Sequence, residues 1–235
     1  MFVFPWIDGN GSWAHVQSVW DRWQSLNAAA LAFVASLVAF NISRFNENLQ
    51  RERDFVAAKA FLPSTLSSLI EFFSRSADIY TGLWNTDGKV QQPLSHPDLP
   101  SDYREVFSNC IRHADPEVGS YLSTILVQLQ VHDARMRDVI SNSLHDQVHV
   151  IDKPALIAYL YRLGELYALV ANLFAFARGE ESFRTENLNW GNFKNAFANL
   201  DVEYQDIFIN EKMNLQAFTE RTLKRAEEQH SAGKK

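Results

Sequence analysis

His132, Asp133 and Arg135 place an imidazole, a carboxylate and a guanidinium within one turn of chain. Together such groups can act as an acid/base pair with an orienting carboxylate and a cation beside it. On a helix, positions i, i+1 and i+3 fan out around the axis, which is also the ordinary layout of a solvated face. His145 and His149 (HDQVH) have the i, i+4 spacing that turns two imidazoles the same way, as a metal site requires. A zinc protease would need Glu directly after the first histidine; Asp146 stands there instead, and no third ligand is evident. Arg162 and Glu165 lie at i, i+3 in strongly apolar surroundings. If buried, they must pair, because removing one would strand the other. This favours a structural ion pair over a site.

The single cysteine, Cys110, excludes an intramolecular disulfide framework and a Cys-rich zinc centre. Its position on the inner face of a helix makes it a small core residue. The chain has no G-x-x-x-x-G-K-[ST] loop, no G-x-G-x-x-G after a strand and no G-x-S-x-G elbow. No catalytic set, cofactor or metal is therefore assigned.

The elements that must position these residues are helical. Of the 235 residues, 46% are hydrophobic and 21% charged, which excludes disorder throughout the chain. A net charge of −6 argues against a nucleic-acid-binding domain. With only 9 Gly and 7 Pro, a turn-dense β protein is excluded as well.

From Trp23 to Ser43 run 21 residues without a charge, bounded by Arg22 and Arg44. As a helix they cover about 31 Å, the thickness of a bilayer's hydrocarbon core. Four of the six tryptophans precede or open this run, and Trp13, Trp20 and Trp23 share a helix face with Val16. Tryptophan favours the headgroup layer, so these three are expected at the membrane interface. The 22 residues before the run hold one Lys/Arg, and the 16 after it hold four (Arg44, Arg51, Arg53, Lys59). That asymmetry puts the N-terminus outside and the rest in the cytoplasm. A cleaved signal peptide fits poorly: the chain has no basic n-region and no clear small-x-small site after the run. Ala28, Ala32, Ala35 and Ala39 recur at 4-3-4 spacing and form a candidate helix-association face. The alternatives are a buried central helix of a soluble bundle and an interfacial helix that does not span.

Beyond Arg44 the periodicity stays near 3.6. A polar helix runs to Leu62, where Pro63 kinks or breaks it. A helix follows to about Trp84, with Leu66, Leu69, Ile70, Phe73, Ala77 and Tyr80 inward. Residues 85–100, with three prolines, form a surface loop. Ser101 caps a helix over 102–113, and Asp115-Pro116 opens one reaching about His145. Asp152 caps a helix over Ala155 to Ala177 that ends at Arg178-Gly179. It is apolar nearly all round, but Arg162 and Glu165 interrupt it too early for a second membrane span. A short helix follows at Asn192 to Leu200, then a last one capped by Asp201 over Val202 to about Glu228. No segment of useful length has strand periodicity.

The expectation is an all-α chain: an extracytoplasmic amphipathic segment (1–22), a single transmembrane helix (23–43), a cytosolic bundle of about five to six helices (44–228) and a disordered tail (229–235). The function expected by elimination is a protein-interaction or scaffold module at the inner face of the cell inner membrane. Its partners would be the lipid bilayer and either another protein or a second copy, with no nucleic acid. Two other readings stay open. One is a membrane-associated enzyme or toxic effector using His132, Asp133, Arg135, Arg162 and Glu165. The other is a soluble helical regulator with the apolar segment buried in an oligomer.

Overall fold

The computed structural model describes residues 3–89, 94–143, 151–210 and 213–232, and it is mostly helical. It divides into two compact units, Met1–Arg53 and Asp54–Lys235. In the first unit, α1 (Val3–Asp8) turns through Asn10 and Gly11, at φ 49° and 76°, into α2 (Trp13–Lys59). The turn sets the Trp6 ring edge-on to Trp13, centroids 6.4 Å apart. From Ala28 onward, an 18-residue stretch averages a hydropathy of 1.7, and none of it is buried. The polar groups within it bond to the helix itself: Ser36 Oγ donates to the Ala32 carbonyl (2.8 Å) and Asn41 Nδ2 to that of Leu37 (3.0 Å).

The second unit takes in the end of α2, then α3 (Leu62–Asn85) and α4 (Tyr103–His113). It continues through α5 (Pro116–Ser143), α6 (Lys153–Ala171), α7 (Phe174–Arg178) and α8 (Trp190–Asn199). The chain then makes an antiparallel pair, β1 (Phe208–Asn210) with β2 (Met213–Asn214), before α9 (Leu215–Ala232). Pro63 stands in the first turn of α3 and can donate nothing to the Lys59 carbonyl, so α2 stops there. Phe61 still has helical dihedrals, φ −89° and ψ −14°, so the junction is a kink of two residues. The inward face of α3 is wider than the expected stripe. It meets α4, α6 and α7, so Phe72 is buried while Ile70 is only partly so.

α6 is the centre of this unit and touches α3, α5, α8 and α9. Leu156, Ile157, Leu160, Leu163, Leu166 and Val170 lie buried around it. Asp152 caps it as the sequence predicts, accepting from Ala155 N at 3.2 Å. The expected single helix to Ala177 is instead split into α6 and α7. Tyr121 donates its hydroxyl to the Leu169 carbonyl (3.0 Å), while Leu173 N–H bonds to Val170 O (3.0 Å). The i to i−4 ladder thus gives way to one tighter step. The bundle accordingly has seven helical segments among the described residues, α3 to α9, rather than five to six. Asp102, not Ser101, is the residue before α4, and its side chain makes no capping bond.

Asp201 does not cap the last helix. Its φ of 53° makes it the left-handed residue closing α8, with Val202 N–H reaching back to Phe197 O at 2.9 Å. Asp and Asn tolerate that conformation better than most side chains. The strand pair was also unexpected, and α9 begins only after it. There Asn214 Oδ1 accepts from Ala217 N at 2.8 Å. α9 then runs to Ala232, past the expected Glu228.

Two glycines test the packing in opposite directions. A Cβ on Gly164 would lie 2.6 Å from Phe197 Cε1, where α8 packs on α6, whereas one on Gly82 would meet nothing within 4 Å. Gly164→Ala should lower unfolding stability by about 1–3 kcal/mol. Gly82→Ala should raise it by about 0.5–1 kcal/mol through helix propensity alone. Urea midpoints of the full chain in mild detergent would check both, and equal shifts would contradict the packing.

Candidate functional site

One group of polar residues of the second unit lies where α3, α5 and α6 face one another. α3 supplies Ser76 and Tyr80 one turn apart. α5 supplies Gln128, His132 and Arg135 at i, i+4 and i+7, and α6 supplies Tyr159 and Arg162 at i, i+3. Tyr80, Gln128, His132, Arg135, Tyr159 and Arg162 line a cavity of about 160 Å³.

His132 is buried, with its ring edge-on to Phe72 (5.6 Å) and Tyr80 (6.0 Å). Its Nε2 lies 3.2 Å from Ser76 Oγ, and that hydroxyl donates to the Phe72 carbonyl at 2.8 Å. Because the Ser76 proton is committed to Phe72, His132 must donate through Nε2–H, which fixes its tautomer. Burial, with Arg135 and His96 adding to it, pulls the imidazole pKa down to about 4. It is therefore neutral near pH 7.

The expected cooperation of His132 with Asp133 does not form. Asp133 Oδ2 binds Arg137 Nη2 at 2.6 Å, and its Oδ1 faces His96 Nε2 at 3.2 Å without the alignment of a hydrogen bond. Adjacent residues on a helix point about 100° apart, so the carboxylate belongs to a different face from the imidazole. Arg135 reaches the cavity, but with the imidazole and not the carboxylate. Arg162 and Glu165 do pair, Nη1 to Oε2 at 2.6 Å, yet their side chains are 53% and 18% exposed. The pair sits at the rim and is not buried, with Arg162 leaning on Tyr161 at 5.5 Å. Burial opposes the Arg162 charge, but the bond to Glu165 and its Coulombic attraction outweigh that and raise the pKa.

Cys110 is buried in the core, and burial pushes its thiol up to about 11, which suppresses the thiolate. His145 and His149 lie outside the described residues. Among the described residues no group of three His, Cys, Asp or Glu side chains could hold a metal ion. In the first unit Trp13, Trp20 and Trp23 are exposed, as are Ala28, Ala32, Ala35 and Ala39 along one face of α2.

Sequence reasoning missed Ser76 and His96 altogether and took Tyr80 only as core. Tyr80 does sit on the buried face, but among the described residues its hydroxyl has no hydrogen-bond partner. A core position read from periodicity carries no information about what the phenol oxygen meets. His96 belongs to the proline-rich loop, where no helical register predicts its direction.

No protein-family model, curated protein or solved structure matches this chain.

The His132 geometry implies a specific acid sensitivity. Below its ordinary pKa of 6.5 the unfolded chain takes up a proton that the folded chain refuses until about pH 4. Stability should therefore fall as pH drops through that window, by up to about 3 kcal/mol from this residue, with no contribution above it. His132→Gln keeps a donor for Ser76 and cannot titrate. Its stability curve, measured by urea unfolding from neutral pH to pH 4, should be the flatter one. Parallel curves would contradict a buried neutral imidazole.

Proposed function

We propose that the chain is a single-pass membrane protein whose helical bundle serves as an interaction or scaffold module. The bundle lies at the cytoplasmic face of the cell inner membrane, with the N-terminus outside. The observation that carries this reading is the exposed apolar stretch of α2, including Leu31, Phe33, Val34, Leu37, Val38 and Phe40. Contiguous apolar surface of that extent marks a lipid or protein contact. The intrahelical bonds of Ser36 and Asn41 support lipid as the medium, because hydrocarbon offers polar groups no partner. Arg44, stacked over Phe40 at 5.8 Å, and the basic residues after it support the orientation. The second unit buries its own core around α6, which leaves its surface for a protein partner or a second copy. The alanine face of α2 provides a place where two anchors could approach closely.

Fractionation of cells expressing the full chain tests the anchor. The protein should stay in the membrane pellet after an alkaline carbonate wash. Val34→Arg with Leu37→Arg, each costing about 2.5–3.5 kcal/mol at a helix centre, should release it. Recovery of the unaltered chain as a soluble, monodisperse oligomer without detergent would replace this reading with a soluble regulator. Ala32→Leu with Ala35→Leu should cut in-membrane crosslinking between copies several-fold while leaving the pellet fraction unchanged. Undiminished crosslinking would remove the alanine face from the proposal.

A further inference from the structure

The spacing of the alanine face of α2 continues past the apolar run. Ala28, Ala32, Ala35 and Ala39 are followed, at the same alternation of four and three residues, by Ile42, Asn46, Leu49 and Arg53. The stripe thus keeps a 7-residue repeat, with Ala28, Ala35, Ile42 and Leu49 at one seam position and Ala32, Ala39, Asn46 and Arg53 at the other. A lone helix drifts about 20° per heptad off such a stripe, so a sustained repeat marks a helix wound on another. The composition changes at Arg44 while the repeat does not. Arg44 to Arg53 (RFNENLQRER) is charged and polar, and its apolar side chains are Phe45 and Leu49 alone. Leu49 lies on the seam and Phe45 flanks it, whereas Arg44, Glu47, Asn48 and Arg51 fall on the far side. Ile42 and Phe45 are 55% and 64% exposed, and Leu49 is half-buried, which leaves an apolar edge on a charged helix. The side chains of Asn46, Glu52 and Arg53 are exposed and, among the described residues, make no hydrogen bond or ion pair.

We propose that a second copy of this chain covers the face, the two helices forming a parallel, in-register coil over residues 28–53 that crosses the membrane and continues on its cytoplasmic side. The pairing rests on the membrane reading for its parallel sense, because copies inserted in one orientation hold the same residue at the same depth. The face is complementary to itself. Alanine against alanine lets the backbones close within lipid, where packing drives association. Beyond the lipid, Ile42 and Leu49 meet their counterparts and leave water. Asn46 at its seam position bonds the amide of its own counterpart, a layer that costs stability but fixes register and the number of strands. Arg53 falls beside the Glu52 of the other copy, so each helix supplies the charge that its neighbour lacks there. An antiparallel or shifted partner loses both polar matches.

Disulfides between identical positions test it, because a residue meets its own counterpart only where the helices are parallel and in register. Single cysteines are introduced into the full chain, with the native Cys110 left in place because it is buried. Membranes carrying each variant are oxidised, and the product with the mass of two chains is measured. Asn46→Cys, Leu49→Cys and Arg53→Cys should yield several-fold more of it than Glu47→Cys, Asn48→Cys and Arg51→Cys. In the Leu49→Cys chain, Arg53→Glu should lower the yield several-fold by setting like charges together, and adding Glu52→Arg should restore it. Equal yields around the helix, a product of any other mass, or a charge exchange that restores nothing would overturn the pairing. An alkaline carbonate wash of the same samples tells this failure from that of the anchor. A pelleted chain with equal yields keeps the anchor and loses the pair, whereas a soluble chain with seam-specific yields keeps the pair and loses the anchor.

Discussion

Apolar surface in water costs roughly 25 cal/mol per Å², and this chain meets that constraint in two different ways. Within residues 54–235 the solution is internal. α6 is apolar on nearly every side, and α3, α5, α8 and α9 are arranged to cover it. The glycine at position 164 lets Phe193 and Phe197 of α8 press against α6, and the capping bonds at Asp152 and Asn189 fix where α6 and α8 begin. Within residues 1–53 Val16 alone is buried among the described side chains. The side chains from Leu31 to Phe40 stay exposed, so any medium that stabilises them must come from outside the chain.

That division also decides where polar chemistry can sit. A bundle closed on all faces of its central helix holds charge at its rim or in a pair, as with buried Asp133 of α5 bound to Arg137. Arg162 escapes burial by leaning outward on Tyr161 and pairing with Glu165. His132 remains inside because it can be neutral and has a hydroxyl to bond. A charged imidazole at the same place would meet Arg135 and a low dielectric, both of which oppose it. A general-acid role for His132 at neutral pH therefore has little support, since it carries no proton beyond the one held by Ser76. The catalytic alternative loses its dyad through helix geometry, while the cavity itself remains.

Helix existence was readable wherever the signal was local. Asp115-Pro116, Asp152 and Arg178-Gly179 each mark an end through chemistry confined to a few residues, and the helices begin and stop there. The failures needed distant partners. The break after Ala171 depends on Tyr121, which lies on another helix. Asp201 has the composition of an N-cap, but the closing bond from Val202 to Phe197 makes it a C-terminal residue of the preceding helix. The strand pair after Phe208 is too short for any period to register. For the cavity, the arginines and His132 could be picked out by type, but their grouping with Tyr80 and Tyr159 came only from the packing of three helices.

The treatment of polar groups in apolar settings is shared by the two units and isolates one exception. Ser36 and Asn41 on α2, and Ser76 on α3, all donate to a carbonyl one turn back, so none depends on a neighbour. This local solution is open only to short side chains. A tyrosine hydroxyl stands too far from its own backbone to use it and must look across the packing interface. Tyr121 does so and finds Leu169 O, and the helix yields a ladder bond to accommodate it. Tyr80 looks across the same kind of interface, and among the described residues its buried hydroxyl finds no partner there. At that position the phenol ring supplies the packing, edge-on to His132 at 6.0 Å and tilted against Tyr159 at 5.5 Å, and among the described residues the hydroxyl adds no hydrogen bond to it.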